Sequence, residues 1–240
     1  MKNTREKGRR DFLQLAGIGA GLVLLSGCEK EAATSQGTAK KGKASAATEV
    51  TAAEDLMREH GVLRRIFVIY EEIMRRLEYD NETPPHALSV AAATVRSFIE
   101  DYHQKVEEEL VFPRLRQDGK HVPVLDVLLA QHAVGRKLTD TIIRLAEPLP
   151  SELADRTLLS NSMREFMRMC RPHAAREETV IFPALHQILS AKEYEAMGGA
   201  LELRERQLFG PKGFEETVDK IAEVERNLGL LDLATFTPGV

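Results

Sequence analysis

The chain has 240 residues and a formal net charge of −4. This length allows one domain of medium size with extensions, and the low numbers of glycines (16) and prolines (10) favour a mainly helical globular body. Residues 1–27 carry five basic and two acidic groups, so the rest of the chain carries −7. An acidic body of this kind argues against a nucleic-acid partner.

The first 27 residues are predicted to be an export signal rather than part of the fold. Basic residues lead to the pair Arg9-Arg10, an apolar run follows from Leu15 to Leu25, and the run ends in Leu25-Ser26-Gly27-Cys28. This order resembles a twin-arginine signal joined to a lipobox, in which Cys28 carries the lipid. An uncleaved membrane anchor is the alternative, although about 14 apolar or small residues are short for a bilayer. The resemblance implies a lipid-anchored protein on the periplasmic side of the membrane.

Two segments flank the predicted folded core. Residues 28–50 are rich in Ala, Ser, Thr, Gly and Lys and contain no aromatic residue, which predicts a flexible tether. Residues 190–240 are predicted to form a C-terminal helical extension with a loosely held end. The extension contains no chemical motif, and we expect it to cover or flank the core.

Four long helices are predicted between these segments. Thr51-Ala52-Ala53-Glu54 matches a capping box that begins the first helix, and Ser151 is predicted to cap the fourth. Pro113 and Pro183 are expected to kink or end the second and fourth helices. The predicted ranges are about 51–77, 86–116, 124–146 and 151–189, and the bundle domain is residues 51–189.

One motif occurs twice, in the second helix and in the fourth. His103–Leu115 reads HQKVEEELVFPRL and His173–Leu185 reads HAAREETVIFPAL. Both copies contain a His, a Glu four residues later, a second Glu and then Phe-Pro-x-Leu. Residues four apart share one face of a helix, and apolar residues recur around both copies at helical spacing. We therefore expect His103 and Glu107, and likewise His173 and Glu177, to face the core.

The first and third helices each contribute one further core histidine. His60 precedes His103 by 43 residues and His132 precedes His173 by 41 residues, so the chain is two similar helical hairpins. Short loops make neighbouring helices antiparallel, which predicts an all-α, up-down-up-down four-helix bundle. A pseudo-twofold axis between the hairpins would bring four imidazoles and two carboxylates together in one core.

A metal centre explains these buried polar groups best. An unpaired carboxylate in an apolar interior costs several kcal/mol, and no Lys or Arg is predicted on the inward faces to neutralise it. A single His-x3-Glu is more often a solvated surface pair, but two copies within apolar stripes reverse that interpretation. Six donors suit two transition-metal ions bridged by the carboxylates, with Fe favoured over Mn and Zn. A mononuclear site would use only one half of the repeat.

Residues 51 to about 189 resemble the haemerythrin-like, or HHE, cation-binding domains. The resemblance is carried by His60, His132, the two H-x3-E-E motifs and the Phe-Pro pairs. It implies a non-haem di-iron centre in which His60, His103, His132 and His173 are terminal ligands, and in which Glu107 and Glu177 bridge the ions together with an oxo or hydroxo group.

The chain departs from the oxygen-carrying members at two positions. Those members have another His one turn after the third-helix His, where this chain has Arg136, and an acid five residues after the last His, where this chain has Glu177 at four. The set of four His and two Glu is similar instead to the branch that includes di-iron repair proteins for damaged iron centres and iron or oxygen sensors.

The roles of several other polar residues stay open. Glu108 and Glu178 are either partners of the ligands or solvated acids. Cys170 lies three residues before His173 and is interpreted as a buried inert thiol rather than a ligand. The remaining histidines are interpreted as surface groups: His86, His121 and His186.

Three functions are consistent with the sequence. The first is a binding protein that takes up O2 or NO for sensing, buffering or scavenging. The second is a redox enzyme that reduces NO or decomposes peroxide, which would need an external electron donor because the sequence shows no electron-transfer motif. The third is iron delivery or the repair of damaged iron centres. No residue is assigned as catalytic.

Overall fold

The computed structural model of the protein describes residues 50–79, 82–84 and 86–239. Every regular element in these residues is helical, which confirms the all-α prediction. The predicted signal, Cys28 and nearly all of the predicted tether lie outside the described residues. Within the described part, no helix has both the length and the apolar character needed to cross a membrane.

Helix α1 spans Ala52–Glu78 and begins with the predicted capping box. The Glu54 N–H donates to the Thr51 hydroxyl at 3.3 Å, and the Thr51 N–H donates to the Glu54 carboxylate at 2.9 Å. Two backbone donors that the first turn leaves unpaired are thereby satisfied. The buried face of α1 includes Leu56 and Ile66 and also carries His60.

Helix α2 runs without a break from Ala87 to Gln117, but parts of it are wound as π-helix. The π-helical parts are Val95–His103 and Glu107–Val111. A π-helix inserts an extra residue in a turn and is frequently found at functional sites. Both π-helical parts contain predicted ligands, at His103 and Glu107.

Pro113 and Pro183 lie close to the ends of their helices, as predicted, and neither ends its helix at once. The Phe112 N–H bonds to the Glu107 carbonyl five residues earlier, and the Phe182 N–H bonds to the Glu177 carbonyl in the same way. The proline that follows each phenylalanine has no N–H, and it lies where the hydrogen bonding changes from π to α. The π turn therefore accommodates the missing donor, and the two helices continue to Gln117 and to Ile188.

Helices α3 and α4 form the second hairpin. Helix α3 spans Val122–Ala146, and α4 consists of Leu153–Arg176, the π turn Glu177–Ile181 and Phe182–Ile188. The prediction that Ser151 caps α4 is wrong. The first helical hydrogen bond runs from the Arg156 N–H to the Glu152 carbonyl, so the cap position falls on Glu152, whose side chain makes no capping bond.

Two further helices follow the bundle, as predicted for the C-terminal extension. Helix α5 spans Ala191–Phe209 and α6 spans Gly213–Leu228, and a short 3-10 turn follows at Leu233–Phe236. They pack on the first hairpin: the Phe209 ring lies 5.5 Å from the Phe98 ring and 5.6 Å from the Tyr102 ring, measured between centroids. The outer face of α2 is thereby buried, and its inner face is left for the bundle core.

Candidate metal centre

The structure brings all six predicted ligands together in the core of the bundle. The Nε2 atoms of His60 and His103 lie 3.0 Å apart, and those of His132 and His173 lie 3.2 Å apart. His173 is the most exposed of the six at 8%, and the two glutamates are fully buried. The four histidines therefore form two pairs, one from each hairpin.

The Nε2 atoms of each pair are arranged as two ligands of one metal ion. Each Nδ1 faces an oxygen acceptor, so the proton sits on Nδ1 and the Nε2 lone pair points to the other ring. Two lone pairs at this distance repel each other unless a cation lies between them. Imidazole nitrogens that bind one ion at about 2.1 Å at a right angle are separated by about 3.0 Å, close to both observed distances.

The carboxylates of Glu107 and Glu177 lie between the two histidine pairs. Each directs one oxygen to a ring of the first hairpin and the other oxygen to a ring of the second hairpin. None of the four oxygens has a hydrogen-bond donor, although all are buried. The distances to Nε2 are 3.5 Å to His103 and 3.5 Å to His132 for Glu107, and 3.0 Å to His173 and 3.4 Å to His60 for Glu177.

This donor set fits two metal ions. A buried carboxylate oxygen without a partner is costly, and a cation is the partner that imidazole and carboxylate donors share. Among the described residues the donor atoms form two groups, each within 4.8 Å, and the groups share Glu107. They consist of Glu107, His132, His173 and Glu177, and of His60, His103 and Glu107.

The electrostatics of the metal-free site agree with this interpretation. Burial and the neighbouring Glu177 carboxylate raise the pKa of Glu107 well above its ordinary value. Burial lowers the pKa of His103 and of His132, which keeps these rings neutral. For His60, burial lowers the pKa, but the neighbouring Glu177 and Glu178 carboxylates raise it overall. A metal ion that binds here would therefore displace a proton from the carboxylate pair and meet His103 and His132 in the neutral form that ligates metals.

The comparison with known families agrees with the site. The family model of the Hemerythrin HHE cation binding domain matches residues 51–185. The chain belongs to this family. Uncharacterized proteins of Mycobacterium bovis and Mycobacterium tuberculosis are each 43% identical to it over 236 residues, which cover 96% of this chain and 91% of each relative. No solved structure gives a significant match.

The second glutamate of each motif accepts a hydrogen bond from a histidine of the haemerythrin HHE site, on the side of the ring away from the metal centre. The Nδ1–H of His60 donates to Glu178, and the Nδ1–H of His132 donates to Glu108, each at 3.0 Å. The hydrogen bond from His60 lowers the pKa of Glu178 to about 2 despite partial burial. The sequence left open whether these acids are partners of the ligands or solvated, and the structure shows both in contact with a predicted ligand.

An arginine holds each of these outer carboxylates. Arg64 donates to Glu178, and Arg136 donates to Glu108 at 2.7 Å. Arg136 is the residue at which the chain departs from the oxygen-carrying members of the family. The structure shows it beside the outer carboxylate, where it fixes the acceptor that orients His132.

Sequence reasoning missed two residues that contact the histidines in the same manner. The His103 Nδ1–H donates to Glu59 at 2.5 Å, and the His173 Nδ1–H donates to the Gln131 amide oxygen at 2.8 Å. Glu59 is 1% exposed and also accepts a hydrogen bond from the Tyr102 hydroxyl at 2.8 Å. The available signal was position, since each residue directly precedes the first histidine of its hairpin.

The Phe-Pro pairs of the repeat also contribute to the haemerythrin HHE site. The Phe182 ring stacks on the His60 ring at 5.7 Å, and the Phe112 ring stacks on the His132 ring at 5.8 Å. Both phenylalanines are buried. Each hairpin thus places an apolar ring over a histidine of the other hairpin and excludes water from that side.

Cys170 and the other histidines lie in different environments. Cys170 is buried, and burial raises the pKa of its thiol, so it is present as the unreactive thiol. His86 is largely exposed beside Glu147. The ring of His186 packs against Tyr194 at 4.7 Å, and His121 begins α3 with a left-handed backbone.

Proposed function

We propose that this haemerythrin HHE domain holds two iron ions and binds O2 or NO at them. One observation supports it above all: four buried carboxylate oxygens without donors lie between two histidine pairs. Each ion would receive two imidazoles and one oxygen from each glutamate. Two iron ions held there would supply redox-active positions with room for a diatomic ligand, because iron takes up to about six ligands.

The residues of the chain hold the donors in place and keep water out. Each Nδ1–H is engaged by an acceptor, which fixes the orientation of the ring and strengthens Nε2 as a donor. The stacked rings of Phe112 and Phe182 close one side of each pair. Such buried, hydrogen-bonded donors favour the retention of iron and therefore a binding role over iron delivery.

Metal analysis tests the site itself. We expect the natively produced protein to contain two iron ions per chain, and we expect His103→Ala and Glu177→Ala each to lower bound iron to less than half. Glu109→Ala is a matched control. Glu109 lies on the same helix as His103, is exposed, and pairs with Arg204. Unchanged metal content in both ligand variants would defeat the assignment.

Exposure of the reduced protein to its ligand distinguishes the three functions. A reversible absorption change with O2 or NO supports the binding role. Irreversible oxidation with turnover of peroxide or NO, supported by an external electron donor, would replace it with a redox enzyme. Transfer of iron to a metal-free acceptor protein would replace it with delivery or repair of iron centres.

We also propose that the domain is exported and anchored by lipid at Cys28 on the periplasmic side of the membrane. The support is the order of Arg9-Arg10, the apolar run Leu15 to Leu25 and the cysteine. We expect a double Arg9→Lys, Arg10→Lys variant to stay in the cytoplasm, and Cys28→Ala to move from the membrane fraction to the soluble fraction. Membrane association of Cys28→Ala would contradict the lipid anchor.

A further inference from the structure

The two hairpins of the bundle match each other around the metal centre position by position. In both, an arginine four residues after the first histidine donates to the outer carboxylate of the other hairpin, and that carboxylate also accepts the Nδ1–H of the same first histidine. The corresponding residues are His60 and His132, Arg64 and Arg136, His103 and His173, Glu107 and Glu177, Glu108 and Glu178, and Phe112 and Phe182.

This symmetry is broken at the residue that precedes the first histidine. In the first hairpin Glu59 accepts the Nδ1–H of His103, whereas in the second hairpin the neutral amide of Gln131 accepts the Nδ1–H of His173. The Tyr102 hydroxyl donates to Glu59 and holds it as an acceptor. The residue equivalent to Tyr102 is Pro172, which has no hydroxyl.

The difference places more negative charge behind one histidine pair than behind the other. The first pair has a carboxylate behind each ring, from Glu178 and from Glu59. The second pair has one carboxylate, from Glu108, and that carboxylate also contacts the Lys105 ammonium at 2.6 Å. The residue equivalent to Lys105 is Ala175, so the lysine adds to the same imbalance.

Further acidic groups lie on the side of the first pair. Carboxylate oxygens of Asp55 and Glu205 come within 4.8 Å of an oxygen of Glu59, and Arg58 pairs with Asp55 at 3.3 Å. A carboxylate behind a ligating imidazole makes the ring a stronger donor and raises metal affinity, and the loss of such a partner typically lowers affinity by about 10–100-fold. An amide oxygen accepts the same hydrogen bond without the charge.

We propose that the two metal positions are unequal, and that Glu59 makes the position of His60 and His103 the tighter one. The position of His132 and His173 is the one that fills last and loses its ion first. This inference rests on the proposed dinuclear site. It concerns a positioning residue, because Glu59 acts on the ion through His103.

Titration of the full-length metal-free protein with Co²⁺ tests the inference, with the d–d absorption and the heat of binding as readouts. The wild type is expected to bind two ions in two separate steps. Glu59→Gln is expected to weaken the first step by about 10–100-fold, and Gln131→Glu is expected to strengthen the second step by a similar factor. Each substitution makes the affinities of the two binding steps more nearly equal.

Single-site variants assign the steps to positions. His173→Ala is expected to retain only the tight step, and His103→Ala only the weak step. The variant with both Glu59→Gln and Gln131→Glu is expected to restore two separate steps in the opposite order. It also guards against misfolding, because the number of carboxylates in the core is unchanged.

The outcomes separate this inference from the function on which it rests. Binding of fewer than two Co²⁺ ions by the wild type would overturn both. Two ions whose affinities do not respond to Glu59→Gln or to Gln131→Glu would overturn the inference and leave the dinuclear site intact. Retention of the tight step in His103→Ala would also overturn it.

Discussion

The substitution Glu107→Gln is predicted to have opposite effects on the metal-free and the metal-loaded protein. Glu107 is fully buried, and neither of its oxygens has a hydrogen-bond donor. In the metal-free protein burial and the neighbouring Glu177 carboxylate raise the pKa of its side chain, which favours the protonated form. Glutamine resembles that protonated form, because it is neutral and has nearly the same shape. The substitution therefore removes the free-energy cost of protonating this side chain when the metal-free protein folds.

The size of the effect follows from proton linkage. The unfolded chain has the ordinary pKa of 4.5, so it is ionised at pH 7 while the folded side chain retains its proton. Folding at pH 7 then costs at most about 3.5 kcal/mol, because pH 7 lies about 2.5 pH units above that value and each is worth about 1.4 kcal/mol. The cost falls to less than about 1 kcal/mol near pH 4.5, where the unfolded side chain is half protonated.

Thermal unfolding with and without metal tests this prediction. In EDTA at pH 7, Glu107→Gln is expected to raise the midpoint by at most about 7–14 °C, since 1 kcal/mol corresponds to about 2–4 °C in a protein of this size. With ferrous iron under anaerobic conditions it is expected to lower the midpoint, because each tenfold loss of affinity removes about 1.4 kcal/mol. Glu109 lies on the exposed side of α2, and an exposed ion pair contributes at most about 1 kcal/mol. Glu109→Gln should therefore shift neither midpoint by more than about 4 °C. A lower midpoint in both conditions would refute the reasoning and make Glu107 a structural residue.

Two further predictions concern the fold. Burial raises the pKa of Glu100 to about 7, against the hydrogen bond from Thr139 and the Arg96 charge, so ionisation costs stability as pH rises from about 4.5 to 7. Between pH 5 and pH 8 the free energy of unfolding of the metal-free wild type should fall by about 2–3 kcal/mol relative to Glu100→Gln in denaturant titrations, and parallel pH profiles would contradict this. Thr51→Ala removes the cap of α1 and should lower the free energy of unfolding by about 1 kcal/mol, whereas Thr51→Ser should not.

The helices and their order could be predicted from the sequence because apolar periodicity and the internal repeat point to the same bundle. The boundaries were less predictable. Ser151 is a good capping residue in isolation, but the first backbone bond starts at Glu152. A proline inside a helix normally interrupts it. Only the π turns before Pro113 and Pro183 explain why α2 and α4 continue past them. An amphipathic pattern with a period of 3.6 carries no information about a turn with one extra residue.

The six predicted ligands could be found because repetition and burial coincide in each hairpin. The residues that accept the Nδ1–H groups of the four histidines could be predicted from the sequence only in part. Glu108 and Glu178 belong to the repeated motif, but Glu59 and Gln131 lie next to a histidine that they do not contact and bond to one on the neighbouring helix. Such a contact depends on how two helices pack, and the sequence of either helix alone does not determine it.

The paired glutamates explain why the centre needs both hairpins. Consecutive residues on a helix point about 100° apart, so Glu107 faces the metal centre while Glu108 reaches its rim, where it is 15% exposed. There Glu108 accepts the Nδ1–H of His132 from the other hairpin, and Glu178 accepts that of His60 in return. Each hairpin therefore orients one histidine of its partner as well as supplying a carboxylate to both histidine pairs. A single hairpin would lose the acceptor that orients one of its two rings and one of the two carboxylates that face its histidine pair, so the metal centre and the packing of the two halves stabilise each other.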